Sequence, residues 1–440
     1  MSVRVIVVGA GLAGIAAAVR LLDRGVDVRV LAGGDVGGKA WTERDDGWRW
    51  ERGPHSFTGR AASVFTLVER LGLADAVVPF GAHGAPRWLV RDGRLRAASL
   101  WSGALRPQEV LGLALGMMRG GALGPEVSLA EVAITRFGTS FTRHVLDAMT
   151  TGIWATGPED VALRAFWPDA HAALDGRSAL GAVLAGRLGG RRPAARAGSY
   201  TLRGGMGRIA EAATTRLGER LLSARARALG RDAGSWTIEA ETAGFRADAV
   251  VVATEAPAAA GLLADVAPAS AASLRDIRYA PLGVLHWTSR DAAFPDGFGF
   301  LAPRAEALPV LGTVFVSALA ADRAPTADTR VFATMIGGTR DPGALDEDVQ
   351  AASDRVRAAH RRLLGRGVTL DRVAWVRHPH AVPIPGPGHV GRVHAALDAL
   401  PAGVHLAGAW RAYGSTECAV AAGFAAAERV LAEAGVDARV

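Results

Sequence analysis

The sequence predicts an α/β fold: a parallel sheet of dinucleotide-binding type, assembled from three separated pieces of chain, carrying a mixed-sheet domain and a helical insertion. Three observations predict it. Residues 3–40 read as strand, glycine turn, helix and second strand. A β-branched run ending in AVVVATEAP comes near residue 250. A third short apolar run, GVHLAG at 403–408, precedes a turn-rich loop and an Ala-rich helix over 418–434.

The first piece is the most informative. Residues 3–8 are β-branched enough for a buried parallel strand, and 26–31 repeat the pattern. Between them, Gly9-Ala10-Gly11-Leu12-Ala13-Gly14 is a G-x-G-x-x-G turn opening an apolar helix over 15–24. Gly9 serves the tight turn, Gly11 the close approach of backbone to a pyrophosphate, and Gly14 the helix–strand contact. The helix start offers free N–H groups to phosphates. About 20 residues further on, such units carry an acid that binds a ribose hydroxyl. Here that place holds Ala32-Gly33-Gly34, and the nearest acid, Asp35, lies out in the loop.

Gly37-Gly38-Lys39 follows the second strand. A diglycine there marks the large flavoprotein group that binds FAD in an extended pose, so the unit reads as Rossmann-like and FAD-type. Lys39 is the only lysine in a chain whose Lys+Arg total is 50. It stands either beside the pyrophosphate or as a solvated loop cation. FAD is thus expected to be held through Gly9, Gly11, Gly14, Gly37, Gly38 and Lys39, by backbone and charge rather than by carboxylates.

Length and composition fit a multi-part enzyme. At 440 residues the chain exceeds one hydrophobic core, so two or three packed units are expected. The net charge of +7 comes from scattered arginines, not basic runs, which argues against a nucleic-acid partner. Cys418 is the lone cysteine, so neither a disulfide within the chain nor a cysteine metal site is expected. The first strand begins at residue 3 and no apolar stretch reaches spanning length, so a cytoplasmic protein with at most peripheral membrane contact is expected.

The second piece reads as strands over 221–229, 235–241 and 245–254. Two insertions separate the pieces. The first, roughly 81–197, is helical in pattern: RPQEVLGLALGMMR at 106–119 has Pro in its first turn, and Ser128-Leu129-Ala130-Glu131 is a capping box. Residues 181–198 are Gly/Pro/Arg-rich and expected as a loop. The second, roughly 265–388, alternates strands over 283–289, 308–316 and 329–337 with a long helix over 346–364. The expected organisation is an FAD-type domain from 1–58, 198–262 and 389–440, a substrate domain from 59–90 and 263–388, and a helical insertion at 91–197.

These stretches resemble a known family. The chain is similar to the oxygen-dependent protoporphyrinogen oxidases and the related coproporphyrinogen oxidases, within the FAD-containing amine oxidase and phytoene desaturase group. Beside the glycine motifs, the matching stretches are WERGPHSF at 50–57, RWLVRDG at 87–93, SLAEVAITRFG at 128–138, TGIWATGP at 151–158 and LRGGMG at 202–207. PDGFGFL at 295–301, GGTRDP at 337–342, Gly388-His389 and 405–408 follow in the same order. PDGFGFL, TGIWATGP and GGTRDP are the particular ones.

The resemblance implies hydride transfer from a porphyrinogen to a flavin that oxygen reoxidises, with the cofactor carrying the chemistry and the protein orienting the substrate. It also implies a helical insertion that presses on a membrane. Arg87 matches an arginine facing a propionate, for which a guanidinium fork is well shaped. Gly152 matches a glycine bordering the reacting carbon. Trp154, in the helical insertion, is a candidate substrate contact. On the cofactor side, Ala226 stands where the family packs Val by the adenine. Gly408 is followed by Ala409, where the family has Asp or Asn. Ala32 replaces a Glu, and the run Pro383-Ile384-Pro385-Gly386-Pro387-Gly388 replaces a Gln-Tyr pair.

His378-Pro379-His380, with His389 and His394 nearby, lacks an acid or cysteine at ligand spacing, and no metal is expected. The proline suits a turn. Ser415-Thr416-Glu417-Cys418 reads as an N-cap box with Cys418 buried in the last helix. The expected function is an FAD-dependent oxidase or dehydrogenase of a porphyrinogen or similar carboxylated polycyclic small molecule. Two alternatives stay open: a natural-product or isoprenoid dehydrogenase, and a scaffold that has lost FAD and binds a ligand or catalyses a redox-free step.

Overall fold

The computed structural model describes residues 3–82, 84–99, 104–185 and 196–435. Its centre is a five-stranded parallel sheet in the order Leu221–Ser223, Asp27–Ala32, Arg4–Val8, Ala249–Val252 and Val404–Leu406. The three separated pieces therefore share one sheet, with Val7 opposite Val251 and Val251 opposite His405. The strands are β-branched on both faces because both faces are covered. Leu12–Asp23 and Thr416–Glu433 bury Val5, Val7, Val28 and Val30 on one side. On the other side, Ile6, Val8, Val250 and Val252 pack against Ala256–Leu263, Trp236 and Trp410.

The two covering helices cross closely. A Cβ on Gly423 would lie 2.1 Å from the Ala13 carbonyl oxygen, so only glycine permits that approach. Thr416–Glu433 begins on the Ser415 cap, whose hydroxyl accepts from the Cys418 N–H at 3.1 Å, with Cys418 buried.

Two expected strands are each split by a corner. Residues 221–229 give Leu221–Ser223 to the parallel sheet, and Ala226–Asp232 then enters a three-stranded antiparallel sheet with Ser235–Ala240 and Gly244–Ala247. Residues 245–254 divide at Asp248, whose carboxylate accepts the Arg4 N–H at 2.9 Å and turns the chain from one sheet to the other. Both corners leave the apolar pattern continuous, which is why periodicity reads through them.

A mixed seven-stranded sheet forms the substrate-side domain, in the order Arg372–Pro383, Tyr279–Ser289, Arg330–Gly337, Gly312–Val314, Gly299–Leu301, Arg87–Arg91 and Arg94–Ala97. Its outer face packs on Val349–Leu364 through Leu285, Trp287 and Phe332. Asp348 caps that helix, accepting from Ala351 N–H at 2.8 Å. The strand expected over 308–316 shrinks to Gly312–Val314, because Pro309 offers no N–H to a ladder and Val316–Leu319 turns helical. His378-Pro379-His380 lies within a strand and not in a turn. That strand is the sheet's edge, and a bulge between Ala280 and Leu282 absorbs the proline.

The insertion consists of short helices, among them Pro107–Met118, Leu129–Phe137, Asp147–Trp154 and Ala179–Leu184. Ser128 and Glu131 make the expected reciprocal cap, at 2.8 and 3.1 Å. Gly112 and Gly116 let Pro107–Met118 ride on Phe137, since a Cβ at either would fall within 2.5 Å of it. Residues 186–195, most of the expected Gly/Arg-rich loop, lie outside the described residues.

Candidate active site

At Gly9, Gly14 and Gly37 the glycine cradle is fixed by contacts that no side chain tolerates. Gly9 turns the chain at φ +105°, and a Cβ on Gly14 would lie 1.8 Å from the Gly9 oxygen. Gly37 donates its N–H to the Ala10 oxygen at 2.7 Å, which brings the second diglycine onto the first turn. Gly38 then sits against Gly11, whose own outer side meets nothing within 4 Å. Gly11 caps Leu12–Asp23 with no side chain over the helix start. An open side at Gly11 beside free helix N–H groups fits a diphosphate.

The ribose end is different. Ala32 closes the second strand, buried, and the Arg225 guanidinium folds back to donate to the Gly33 oxygen at 2.7 Å. Asp35, the nearest acid, is paired with Arg52 at 2.5 Å. Lys39 is paired with Glu255 at 2.8 Å, and its ammonium also donates to the His380 and Ala381 carbonyls from the edge strand. Ala226 begins the antiparallel sheet opposite Ala240. Gly408 makes room for Trp410: a Cβ there would lie 2.3 Å from the indole nitrogen, which donates to the Thr254 oxygen at 3.1 Å. Ala409 opens the short turn that carries this buried tryptophan.

The stretches most particular to the resemblance converge. Arg87 pairs across from Gly299, and its guanidinium lies over the Phe298 ring at 4.9 Å. Gly152, exposed on Asp147–Trp154, faces Leu301 so closely that a Cβ would come within 2.7 Å of its methyl. Ala155 ends that helix in the left-handed region and accepts the Thr339 N–H at 2.9 Å. Arg340 ties the same helix to the sheet, reaching Thr151 at 3.3 Å, Asp147 at 3.4 Å and the Ala302 oxygen at 3.2 Å. Trp154 is fully buried: its indole N–H donates to the Tyr413 oxygen at 2.9 Å, and Phe166 meets its ring edge-on.

Sequence reasoning passed over several polar groups here. His55, from the GPHSF stretch, faces His286 of Tyr279–Ser289 with ring centroids 5.9 Å apart. Burial pushes His55 down to about 4, with Arg323 lowering it further, and burial beside the His55 and His378 imidazoles pushes His286 well below the usual imidazole value. His378 sits near them, with its ring nitrogen 2.6 Å from the Arg52 oxygen. Arg323, buried nearby, is met by Glu51 at 3.3 Å and Asp322 at 2.8 Å. Desolvation raises the Glu51 carboxyl to about 7, against the pull of Arg323. Glu255 closes the run AVVVATEAP, where a strand would meet a cofactor edge; its pairing with Lys39 escaped notice because the two lie far apart in sequence. Among the described residues, no group of three or more His, Cys, Asp or Glu is placed to hold a metal ion.

Comparison with known proteins agrees with this geometry. The family model for flavin containing amine oxidoreductase matches residues 12–431. The chain is 30% identical over 409 residues to a coproporphyrinogen III oxidase of Propionibacterium freudenreichii subsp. freudenreichii, covering 80% of this chain and 76% of that one. It is 26% identical over 427 residues to protoporphyrinogen oxidase 2 of Arabidopsis thaliana, covering 84% and 83%. The crystal structure of a protein provisionally described as a protoporphyrinogen oxidase, from Exiguobacterium sp. 255-15, superposes with a TM-score of 0.83 at 19% identity, over 98% and 99% of the two chains. From cradle to convergent motifs, the chain belongs to the flavin-containing amine oxidoreductase family.

Proposed function

We propose that the chain is an FAD-dependent oxidase or dehydrogenase acting on a porphyrinogen or a similar carboxylated polycyclic molecule. One observation carries the reading: four stretches scattered from residue 87 to 342 meet around Gly152, Leu301, Arg87 and Gly338. We assign the cradle and the sheet around it to the cofactor, the seven-stranded sheet to the substrate, and the helices between to the entrance.

FAD, when bound, supplies a two-electron hydride acceptor. The chain supplies placement. Gly9, Gly11, Gly14, Gly37 and Gly38 present backbone to the diphosphate, and the corner at Ala226 and the Gly408-Ala409 turn border the adenine and ribityl ends. Arg87, exposed with its guanidinium over the Phe298 ring, holds a carboxylate. Gly152 keeps its helix free of a side chain where substrate passes, and Trp154 backs that helix from within. In this reading, Arg87→Ala raises the KM for coproporphyrinogen III about tenfold with kcat and Tm nearly unchanged, because an exposed arginine adds little to the fold. An unchanged KM retires the assignment.

A second reading has its own observation. Asp35 and Lys39, the charged groups nearest the cradle, are already spent on Arg52 and Glu255, and Ala32 offers no acid. In that reading the site is a cofactor-free scaffold. The absorbance of the purified protein near 450 nm separates the two, since only the first requires flavin.

A further inference from the structure

The second strand of the parallel sheet ends beside an arginine instead of an acid. In dinucleotide-binding units an acid at this place takes the ribose hydroxyls, whereas an arginine there accommodates a phosphate carried on the same ribose. Here the strand closes on buried Ala32, and two glycines follow it. Two acids stand at this end and both are engaged. Asp35 is paired with Arg52 and Glu241 with Arg227, each at 2.5 Å.

Arg225 reaches the same end from the neighbouring strand. Leu221–Ser223 runs parallel to Asp27–Ala32 with Ser223 opposite Ala32, so the corner that follows brings Arg225 to the end of the second strand. That corner is pinned on both sides: Ala224 donates its N–H to the Ala32 oxygen and Glu241 to the Arg225 oxygen, each at 3.0 Å. The arginine stem lies against Gly33, where a Cβ would come within 3.2 Å of the Arg225 Cγ. Its side chain is 61% exposed, donates to the Gly33 carbonyl, and stands 3.8 Å from Glu241. Two guanidinium groups therefore share one carboxylate. Gly34 is exposed, and a Cβ there would meet nothing within 4 Å. A guanidinium resting on a neutral carbonyl beside open space can exchange that contact for phosphate oxygens, which match its fork and its charge. A bare ribose diol offers it neither.

We propose that the cradle also accepts an adenine dinucleotide phosphorylated at the 2′ position of its adenosine ribose, NADP+ or NADPH, and that Arg225 reads the phosphate. The inference rests on the assignment of the cradle to a dinucleotide in the proposed function and goes beyond it. FAD and the phosphorylated dinucleotide share an ADP half and compete for one place. Arg225 is assigned recognition and no chemical step.

The test sets NADP+ against NAD+, which differ in that phosphate alone. Isothermal titration calorimetry is run at pH 7 and low salt on protein freed of any bound flavin, with FAD as the third ligand and circular dichroism melts on every sample. NADP+ is expected to bind at least about tenfold more tightly than NAD+, and added salt shrinks the difference because the contact is ionic. Saturating FAD abolishes the NADP+ signal. Arg225→Gln brings NADP+ down to the NAD+ level and leaves NAD+ within about twofold, with Tm nearly unchanged because the side chain is exposed. Arg225→Lys keeps the charge without the fork and retains part of the preference. Arg29→Gln removes the same charge from an exposed position earlier in the second strand and leaves the preference intact. Ala32→Glu, which restores the acid, reverses it.

Equal affinities for NADP+ and NAD+, or a preference that survives in Arg225→Gln, overturn the phosphate subsite. A preference lost equally in Arg29→Gln overturns it too, since it then reflects net charge. Binding of FAD alone overturns the inference and leaves the proposed function standing. If none of the three ligands binds to protein that melts cooperatively, the cradle assignment falls and the inference with it.

Discussion

The nucleotide-binding sheet and the helical insertion dispose of apolar surface in opposite ways. In the sheet, alanines, valines and glycines are packed so closely that Gly14 and Gly423 have no room for a methyl group. In the insertion the apolar side faces out. Of the fourteen large hydrophobics exposed among the described residues, twelve lie between Val110 and Leu184, with Leu111 59% and Met118 61% exposed. Their helix rides on Phe137 through its glycines, which leaves the larger side chains free. Exposed apolar side chains concentrated in one insertion are the place to test for contact with an apolar surface. No helix among the described residues is long and apolar enough to cross a membrane. The sheet encloses its apolar side chains, and the insertion presents them to the outside.

The comparison breaks most sharply at Gly14. Gly14→Val drives a side chain into the Gly9 carbonyl and is expected to cost about 3 kcal/mol or more, read as loss of a cooperative melt. An equivalent change on the insertion, Leu111→Asp with Met118→Asp, is expected to shift stability by no more than about 0.5 kcal/mol.

Acid comes next. His55 and His389 are each lowered to about 4 by burial, and His286 lies well below its usual value. The unfolded chain therefore binds more protons than the folded one below about 6.5, the ordinary imidazole value. Their contribution to stability is complete above that pH and is lost as pH falls toward 4. Glu51, raised to about 7, acts in the opposite sense: its contribution is present at low pH and lost as pH rises through 7. With three imidazoles against one carboxyl, Tm is expected to fall between pH 7 and pH 5, and His286→Leu should flatten that slope. A Tm flat across this range would show that the rings are hydrated.

A smaller effect tests the ribose end. Ala32→Glu is expected to tighten FAD about tenfold, provided Arg225 swings off Gly33, and Glu255→Gln should tighten it less by releasing Lys39 toward the diphosphate. Both gains shrink with added salt, since the charged contacts are the screened ones. Fluorescence titration at low and high salt reads them. The smallest thermodynamic signal belongs to the insertion: flotation with anionic liposomes at low salt, abolished in the Leu111→Asp, Met118→Asp variant. Full recovery of wild type in the unbound fraction would leave the exposed apolar side to substrate alone.

The parallel sheet was legible because its signals are local. Glycine spacing, β-branched runs and helix caps all act within a few residues, and Ser128 and Ser415 cap as their sequences suggest. Corners at Arg225 and Asp248 were not, since a strand that changes sheets keeps its apolar pattern. The candidate site was legible where a stretch such as TGIWATGP carries its own signature. It was illegible where chemistry depends on a partner remote in sequence. Nothing around Lys39 announces Glu255, and nothing in GPHSF announces His286.

Lys39 has one more consequence. It is the chain's single lysine, and its ammonium is gripped beside the cradle by a carboxylate and two carbonyls. Apart from the terminal amine, a reagent that acylates amines therefore has one address on this protein. The extent of its modification, read by intact-mass spectrometry, reports the occupancy of one place in the molecule with no engineered label.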